Sequence, residues 1–279
     1  MRKLMSTGIV IGFSLLSTAS AQIVKEGGFY IAAHGGYNVI ISGTRGLDYL
    51  GISSGVSMYT VNRSGDNIEA IPYSFGKGMN AGINVGYMFT GNMGVELGAD
   101  YLLGGKNKFT TVVTDGNGTL NMSAKMIQLR PMMVVARGGN KINPYAKVGL
   151  VLGIGGKITS EHEAIYSGNT EEVVFVRDKG LALGFTGAGG VDFGINDKMC
   201  IFSEISFTGL SFSPQKGKMT KALINGVDRL PDLAVKEKEF DYVNNANPTG
   251  GSASEPVEMP KSSYSFNSAG INVGLKFKL

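Results

Sequence analysis

Hydrophobic residues in this chain recur at every second position. In the C-terminal stretch Ala269, Ile271, Val273, Leu275, Phe277 and Leu279 alternate with Gly270, Asn272, Gly274, Lys276 and Lys278. One face is wholly apolar and the other small or polar, the pattern of a strand with different surroundings on its two sides. The alternation returns over residues 79–89, 93–103, 127–135, 146–154 and 181–193, less cleanly over 199–211, and most weakly over 29–37, where Gly and Ala dominate. Eight strands are predicted.

The connections alternate in length. Residues 90–92, 137–143 and 195–198 are short links. Residues 39–76, 106–121, 157–179 and 213–262 are long ones. Asp115-Gly116-Asn117-Gly118 reads as a turn within the second long segment. Pro214, Pro231, Pro248, Pro256 and Pro260 all fall in the last, with seven basic and seven acidic residues. Its Lys236-Glu237-Lys238-Glu239-Phe240 run suits a strand extension or a short helix. Residues 56–61 (VSMYTV) suit an extra strand, which leaves a ten-stranded ring as the alternative.

After Ala21 no apolar run approaches the ~18 residues of a spanning helix. In hydrocarbon every backbone N–H and C=O must be satisfied internally, so sheets cross a membrane only as closed barrels. Strands that alternate apolar and small-polar positions, with short and long links in turn, fit that solution. The fold class expected is all-β: an eight-stranded antiparallel up-and-down transmembrane barrel with long extracellular loops and both termini in the periplasm. A soluble sandwich would turn the Gly-, Ala- and Asn-rich face to water, where few charges could solvate it. Aromatic residues also gather toward strand ends, Phe29, Tyr87, Phe89, Phe193 and Phe277 at the short-turn end and Tyr37, Tyr101, Phe185 and Phe207 nearer the other, as in two interfacial girdles.

Composition adds three constraints. Gly is 42 of 279 residues with only 8 Pro, and charged residues are 17%. Glycine on the inward face lets the backbones of a narrow barrel pack closely. One Cys (Cys200) and two His (His34, His162) leave no disulfide, Cys-based zinc cluster or multi-His metal site, so no cofactor is expected. Cys200 reads as a small buried residue. Met1-Arg2-Lys3, the apolar residues 9–16 and Ala19-Ser20-Ala21 form the three parts of a secretory signal peptide, so residues 1–21 are expected to be cleaved and 22–279 to form the barrel domain. Removing Arg2 and Lys3 from the 26 basic residues leaves 24 against 22 acids, which is no footprint for nucleic acid.

With these features the chain resembles the small bacterial outer-membrane barrels of the OmpA transmembrane-domain and OmpX type. The resemblance covers residues 22–279. It implies an outer-membrane location, a monomer, and contact with outer-membrane lipid and lipopolysaccharide. It also implies that the terminal series Ile271, Val273, Leu275, Phe277 and Leu279 is read by the barrel-assembly machinery. The family usually ends in Phe or Trp, whereas this chain ends in Leu279 with Phe277 two before it.

Strand parity turns seven charges inward: Glu96, Asp100, Arg130, Lys147, Asp192, Glu204 and Lys276. Most lie a few residues from a short turn or the C-terminus, so at ~3.3 Å per residue they share one level. Four acids and three bases nearly cancel, and unpaired charge in a narrow lumen is costly. A structural ion cluster is expected, joining Glu96, Arg130, Lys147 and Glu204, with Asp192 and Lys276 at its lower edge. A narrow ion-conducting pore is the alternative. A lipid-A-modifying barrel enzyme is the other: deacylases of that type carry a His-x-Ser pair, but His34 precedes Gly35-Gly36 and His162 precedes Glu163-Ala164. The expected function is therefore a non-enzymatic scaffold that presents surface loops for adhesion or host-ligand contact.

Overall fold

The computed structural model describes residues 26–41, 61–113, 116–139 and 141–279. The expected signal peptide and residues 56–60 lie outside them. Eight long strands form the framework: β1 (Glu26–Val39), β2 (Gly78–Thr90), β3 (Met93–Gly104), β4 (Gly116–Ala136), β5 (Ile142–Tyr166), β6 (Leu181–Gly194), β7 (Met199–Ser213) and β8 (Ser268–Lys278). Each pairs antiparallel with the next. The ring closes where β1 meets β8, with Ile31 opposite Phe277 and Tyr37 opposite Ile271. No strand of this ring is left with an open edge, as the hydrocarbon argument requires. The ring has eight strands, not ten.

The five terminal residues Ile271, Val273, Leu275, Phe277 and Leu279 all point outward and are exposed. So are all nine girdle aromatics, from Phe29 to Phe277. The inward glycines make room for large inward side chains. A Cβ on Gly86 would come within 2.1 Å of the Tyr30 ring, and one on Gly190 within 2.5 Å of the Tyr145 hydroxyl.

Among the described residues the long segments carry strands of their own. β4 and β5 run about ten residues beyond the lengths that the apolar pattern marked. They pair there with Asn107–Val113 and Asn169–Asp178, and the latter with Lys216–Ile224. The 236–240 run resolves into both expected forms, a short helix over Val235–Lys238 followed by a strand over Glu239–Val243. Within 56–61, only Val61 is described, and it begins the short strand Val61–Ser64. Together these elements form a head above the barrel.

The reason these extensions escape an apolar-outward search lies on β4. Inside the membrane-height part, Ile127, Met133 and Val135 face outward while Gln128 and Arg130 face in. Above it the parity continues but the polarity inverts. Leu120, Met122, Ala124 and Met126 are buried inside, and Asn121, Ser123 and Lys125 lie outside. A single strand thus passes from hydrocarbon outside to water outside without changing face. The change is marked by a bulge, where the register slips between Lys125 and Ile127 opposite Gly155. Gly155 has φ +62°, a left-handed conformation that Gly adopts without strain.

The head has its own apolar core. Phe75, Phe109, Ile158, Phe175, Met219 and Phe266 are almost fully enclosed, and the core continues down to Met126, Val151 and Phe212 in the barrel mouth. The lumen is therefore polar below and roofed by packed side chains above.

Candidate functional site

The inward face of the lower barrel holds all seven expected charges, each buried. They do not form one cluster. Nearest the short-turn end, Lys276 Nζ lies 2.7 Å from Asp192 Oδ1 and 2.9 Å from Oδ2. That ammonium also stands over the rings of Tyr145 and Tyr30, at 4.7 and 5.1 Å, which adds cation–π attraction in a dry site.

One layer up, Lys147 Nζ bridges two carboxylates. It is 2.8 Å from Glu96 Oε1 and 2.9 Å from Glu204 Oε2. The second oxygen of Glu96 accepts a 2.7 Å bond from the Tyr30 hydroxyl, and Tyr145 donates to Glu204 at 3.1 Å. Two neutral donors thus supply what one ammonium cannot, because a buried carboxylate needs its remaining lone pairs filled.

The third group departs from expectation. Arg130 does not join Glu96. Its guanidinium lies 2.5 Å from Asp100 Oδ1, which His34 Nε2 also approaches at 2.6 Å. On β4 Arg130 stands opposite Gly98, with Glu96 two residues below and Asp100 two residues above on β3. Glu96 is taken by Lys147 and Tyr30, and Arg130 turns up to Asp100 and His34. This group leaves Asp100 Oδ2, Arg130 Nε and His34 Nδ1 without protein partners. Above it lies an amide layer, in which Asn80 bonds Asn38 at 3.1 Å and Asn272 bonds Ser206 at 3.4 Å.

His34, Tyr30 and Tyr145 are the residues that sequence reasoning left out of the site. Their parity was legible, since Tyr30 and His34 share the face of Asn38, and Tyr145 shares the face of Lys147. The weak alternation of β1 concealed it. His34 is held on a carboxylate with no serine beside it in sequence, so it makes no His-x-Ser pair. Among the described residues no group of three His, Cys, Asp or Glu is placed to hold a metal. Cys200 is buried on the inward face.

A further charge lies in the head. Arg177 is 3% exposed, stacks on Phe175 at 4.5 Å, and donates to Tyr242 Oη and Ser160 Oγ. Among the described residues no carboxylate stands within 4.0 Å of it. Hydroxyls and ring faces hold this cation in place of a counter-ion.

A closed antiparallel ring with an apolar outer band and a polar interior is the geometry of a membrane barrel, and residues 9–225 match the family model described as outer membrane protein beta-barrel domain. The chain belongs to this family. The outer-membrane barrel is also similar to two solved structures. The outer membrane protein OprG from Pseudomonas aeruginosa aligns at 12% identity and TM-score 0.46, over 93% of this chain and 99% of that one. Ail, the attachment invasion locus protein of Yersinia pestis, aligns at 11% identity and TM-score 0.29, over 91% of this chain and 100% of that one. Curated protein sequences gave no match.

As an outer-membrane barrel the chain crosses with strands. No helix among the described residues is long and apolar enough to do so. In chemical terms the lumen is a stack of compensated charges under an apolar roof. An eight-stranded ring is narrow enough for side chains to fill it.

Proposed function

We propose that the protein is a non-enzymatic outer-membrane scaffold that holds a rigid head outside the cell for contact with a surface ligand. The observation that carries this reading is at the far end of the head. The hairpin tips Ser167-Gly168 and Asn225-Gly226 both have positive φ at their two central residues, the backbone of tight two-residue turns. Asn225 clamps one tip to the other: its backbone N–H donates to Thr170 O, its side-chain oxygen accepts from Thr170 N–H at 2.8 Å, and its amide donates to Asn169. Beside the clamp Ile165, Tyr166, Ile224 and Val227 are exposed. Apolar side chains on a preorganised tip lose little entropy on binding.

The lumen supports a scaffold rather than a channel, since its charges are paired and its mouth is filled. The barrel also serves as a substrate of the assembly machinery through its terminal series. On this reading, cells carrying the protein bind host-cell or matrix surfaces, and the Tyr166→Ser, Ile224→Ser double variant loses that binding. The variant should keep the heat-modifiable migration of a folded barrel. Unchanged adhesion by the variant would overturn the reading, and so would an altered lipid A structure that depends on the protein, which would point to an enzyme.

A further inference from the structure

The charges of the lumen do not cancel among themselves. Below the apolar roof Glu96, Asp100, Asp192 and Glu204 stand against Arg130, Lys147 and Lys276. Unless His34 carries a proton, the lumen is one positive charge short. Arg177, the other buried cation among the described residues, lies in the head and is held by hydroxyls and rings there. An uncompensated charge in so narrow and dry a space is costly. The missing charge therefore comes from a proton or from a bound cation.

The amide layer above Asp100 has the chemistry of a cation site. Asn80 Nδ2 donates to Asn38 Oδ1, and Asn272 Nδ2 donates to Ser206 Oγ. These bonds turn both carboxamide oxygens the other way. Asn80 Oδ1 and Asn272 Oδ1 are buried without a protein donor, and Asn272 is 0% exposed. Both border one gap, over Gly36, which pairs with Asn80 on β2 and with Asn272 on β8. A Cβ on Gly36 would stand 2.8 Å from Asn80 Oδ1, and closer still to Asn272 Oδ1 and the Ile271 carbonyl oxygen. The next inward pair up, Asn38 with Gly270, opens a second gap, faced by Asn38 Oδ1 and Ser206 Oγ.

The unpartnered atoms lower in the lumen are of both kinds. Around Gly98 lie the acceptors Asp100 Oδ2 and Asn84 Oδ1, and opposite it stands Arg130, whose Nε is a donor. A water molecule serves such a mixed set. At Gly36 the unpartnered atoms are acceptors only, which is the environment that replaces the hydration shell of a hard cation. The ligands there are neutral and the charge to be supplied is a single unit. Both facts favour a monovalent ion over calcium, which draws carboxylates around it.

We propose that the gap over Gly36 binds one monovalent metal cation, sodium or potassium, as a structural part of the lumen. Asn80 Oδ1 and Asn272 Oδ1 are its side-chain ligands, and Asn38 Oδ1 and Ser206 Oγ adjoin them. The ion supplies the positive charge that the four acids lack. It is held beneath the apolar roof rather than passed along the axis. The site is independent of the adhesive role of the tips.

The test uses the full protein in zwitterionic lipid vesicles, unfolded by urea in sodium, potassium or choline chloride at one ionic strength. Choline is too large for the gap and screens charge equally. Sodium or potassium should raise the unfolding midpoint above its value in choline, and the rise should saturate with concentration. At about ten times the dissociation constant the folding equilibrium shifts about tenfold. The Asn80→Leu, Asn272→Leu double variant should lose the difference between salts, whatever its own stability. Asn272→Asp, with a carboxylate in place of the amide, should widen it. Crystals of wild type grown in rubidium chloride should show the anomalous signal of rubidium beside Gly36. Should the leucine variant fail to fold, the salt dependence of wild type and the rubidium signal decide the matter. Equal midpoints in all three salts, or a salt difference that survives in the leucine variant, would overturn the proposal. So would a midpoint indifferent to the cation but dependent on pH, with that dependence lost in His34→Gln, because the missing charge would then be a proton.

Discussion

Arg130 meets Asp100 at 2.5 Å, with His34 on the same carboxylate oxygen, and leaves Glu96 to Lys147. The lumen is therefore built from small compensated groups stacked along the barrel axis rather than from one network. Arg130→Met alone should cost about 3–5 kcal/mol, because Asp100 stays buried without its cation. Combining it with Asp100→Asn should restore part of that loss. Combining it with Glu96→Gln should not. Unfolding midpoints in urea, measured on the protein refolded into lipid vesicles, give both coupling energies.

Lys147 is the shared partner of Glu96 and Glu204, so its removal strands two carboxylates. Lys147→Met should be the most destabilising single change among the lumen charges, beyond the range of about 3–5 kcal/mol for one broken pair. A triple change that adds Glu96→Gln and Glu204→Gln should recover most of the loss, with the Tyr30 and Tyr145 hydroxyls still satisfied by the amides. The same unfolding measurement ranks the variants.

His162 in the head gives a pH dependence with a definite sign. Burial holds its imidazole below the ordinary histidine value, and its Nδ1 has no partner. The unfolded head takes up the proton first as the pH falls through about 6.5. The head's stability is thus complete above that pH, declines below it, and reaches its full loss once the pH passes the folded value. Proteolysis of the 157–178 hairpin should accelerate between about pH 7.5 and about pH 5. His162→Gln should flatten that dependence while leaving the barrel protease-resistant.

The orientation follows from the alternating link lengths. Ser254→Cys, in the head, should react with a membrane-impermeant maleimide on intact cells. Asp197→Cys, in a short turn, should react only after the outer membrane is opened. The native Cys200 is buried and adds no signal. Reaction of Asp197→Cys on sealed cells would reverse the orientation.

The sequence made the barrel legible because hydrocarbon imposes a simple rule on every membrane-height strand. Ile271 to Phe277 and Val148 to Ile154 obey it, and their strands lie where the alternation predicts. The head was hidden by the same rule. From Leu120 to Met126 the alternation is as regular, but the apolar residues face inward, so a search for apolar-outward strands ends at Ile127. Lumen membership was legible from parity for Glu96, Arg130 and Lys147. Partner choice was not, because Arg130 faces Gly98, midway between Glu96 and Asp100, and Lys147, Tyr30 and His34 on other strands decide which carboxylate is left for it. His34 was overlooked because Gly35 and Gly36 blur the pattern around it. Arg177 gave no local signal at all, since its tyrosine partner Tyr242 is 65 residues away.

Paired charges fill the lower lumen and packed apolar side chains roof it, so the proposed scaffold should not conduct ions. Single-channel recording in planar bilayers checks this. Wild-type protein should give no steady current, and Lys147→Met should give at most brief, unselective flickering from a loosened core. Large, stable, ion-selective openings in wild type that disappear in Arg130→Ala would contradict the account, because the charges would then line a conducting path.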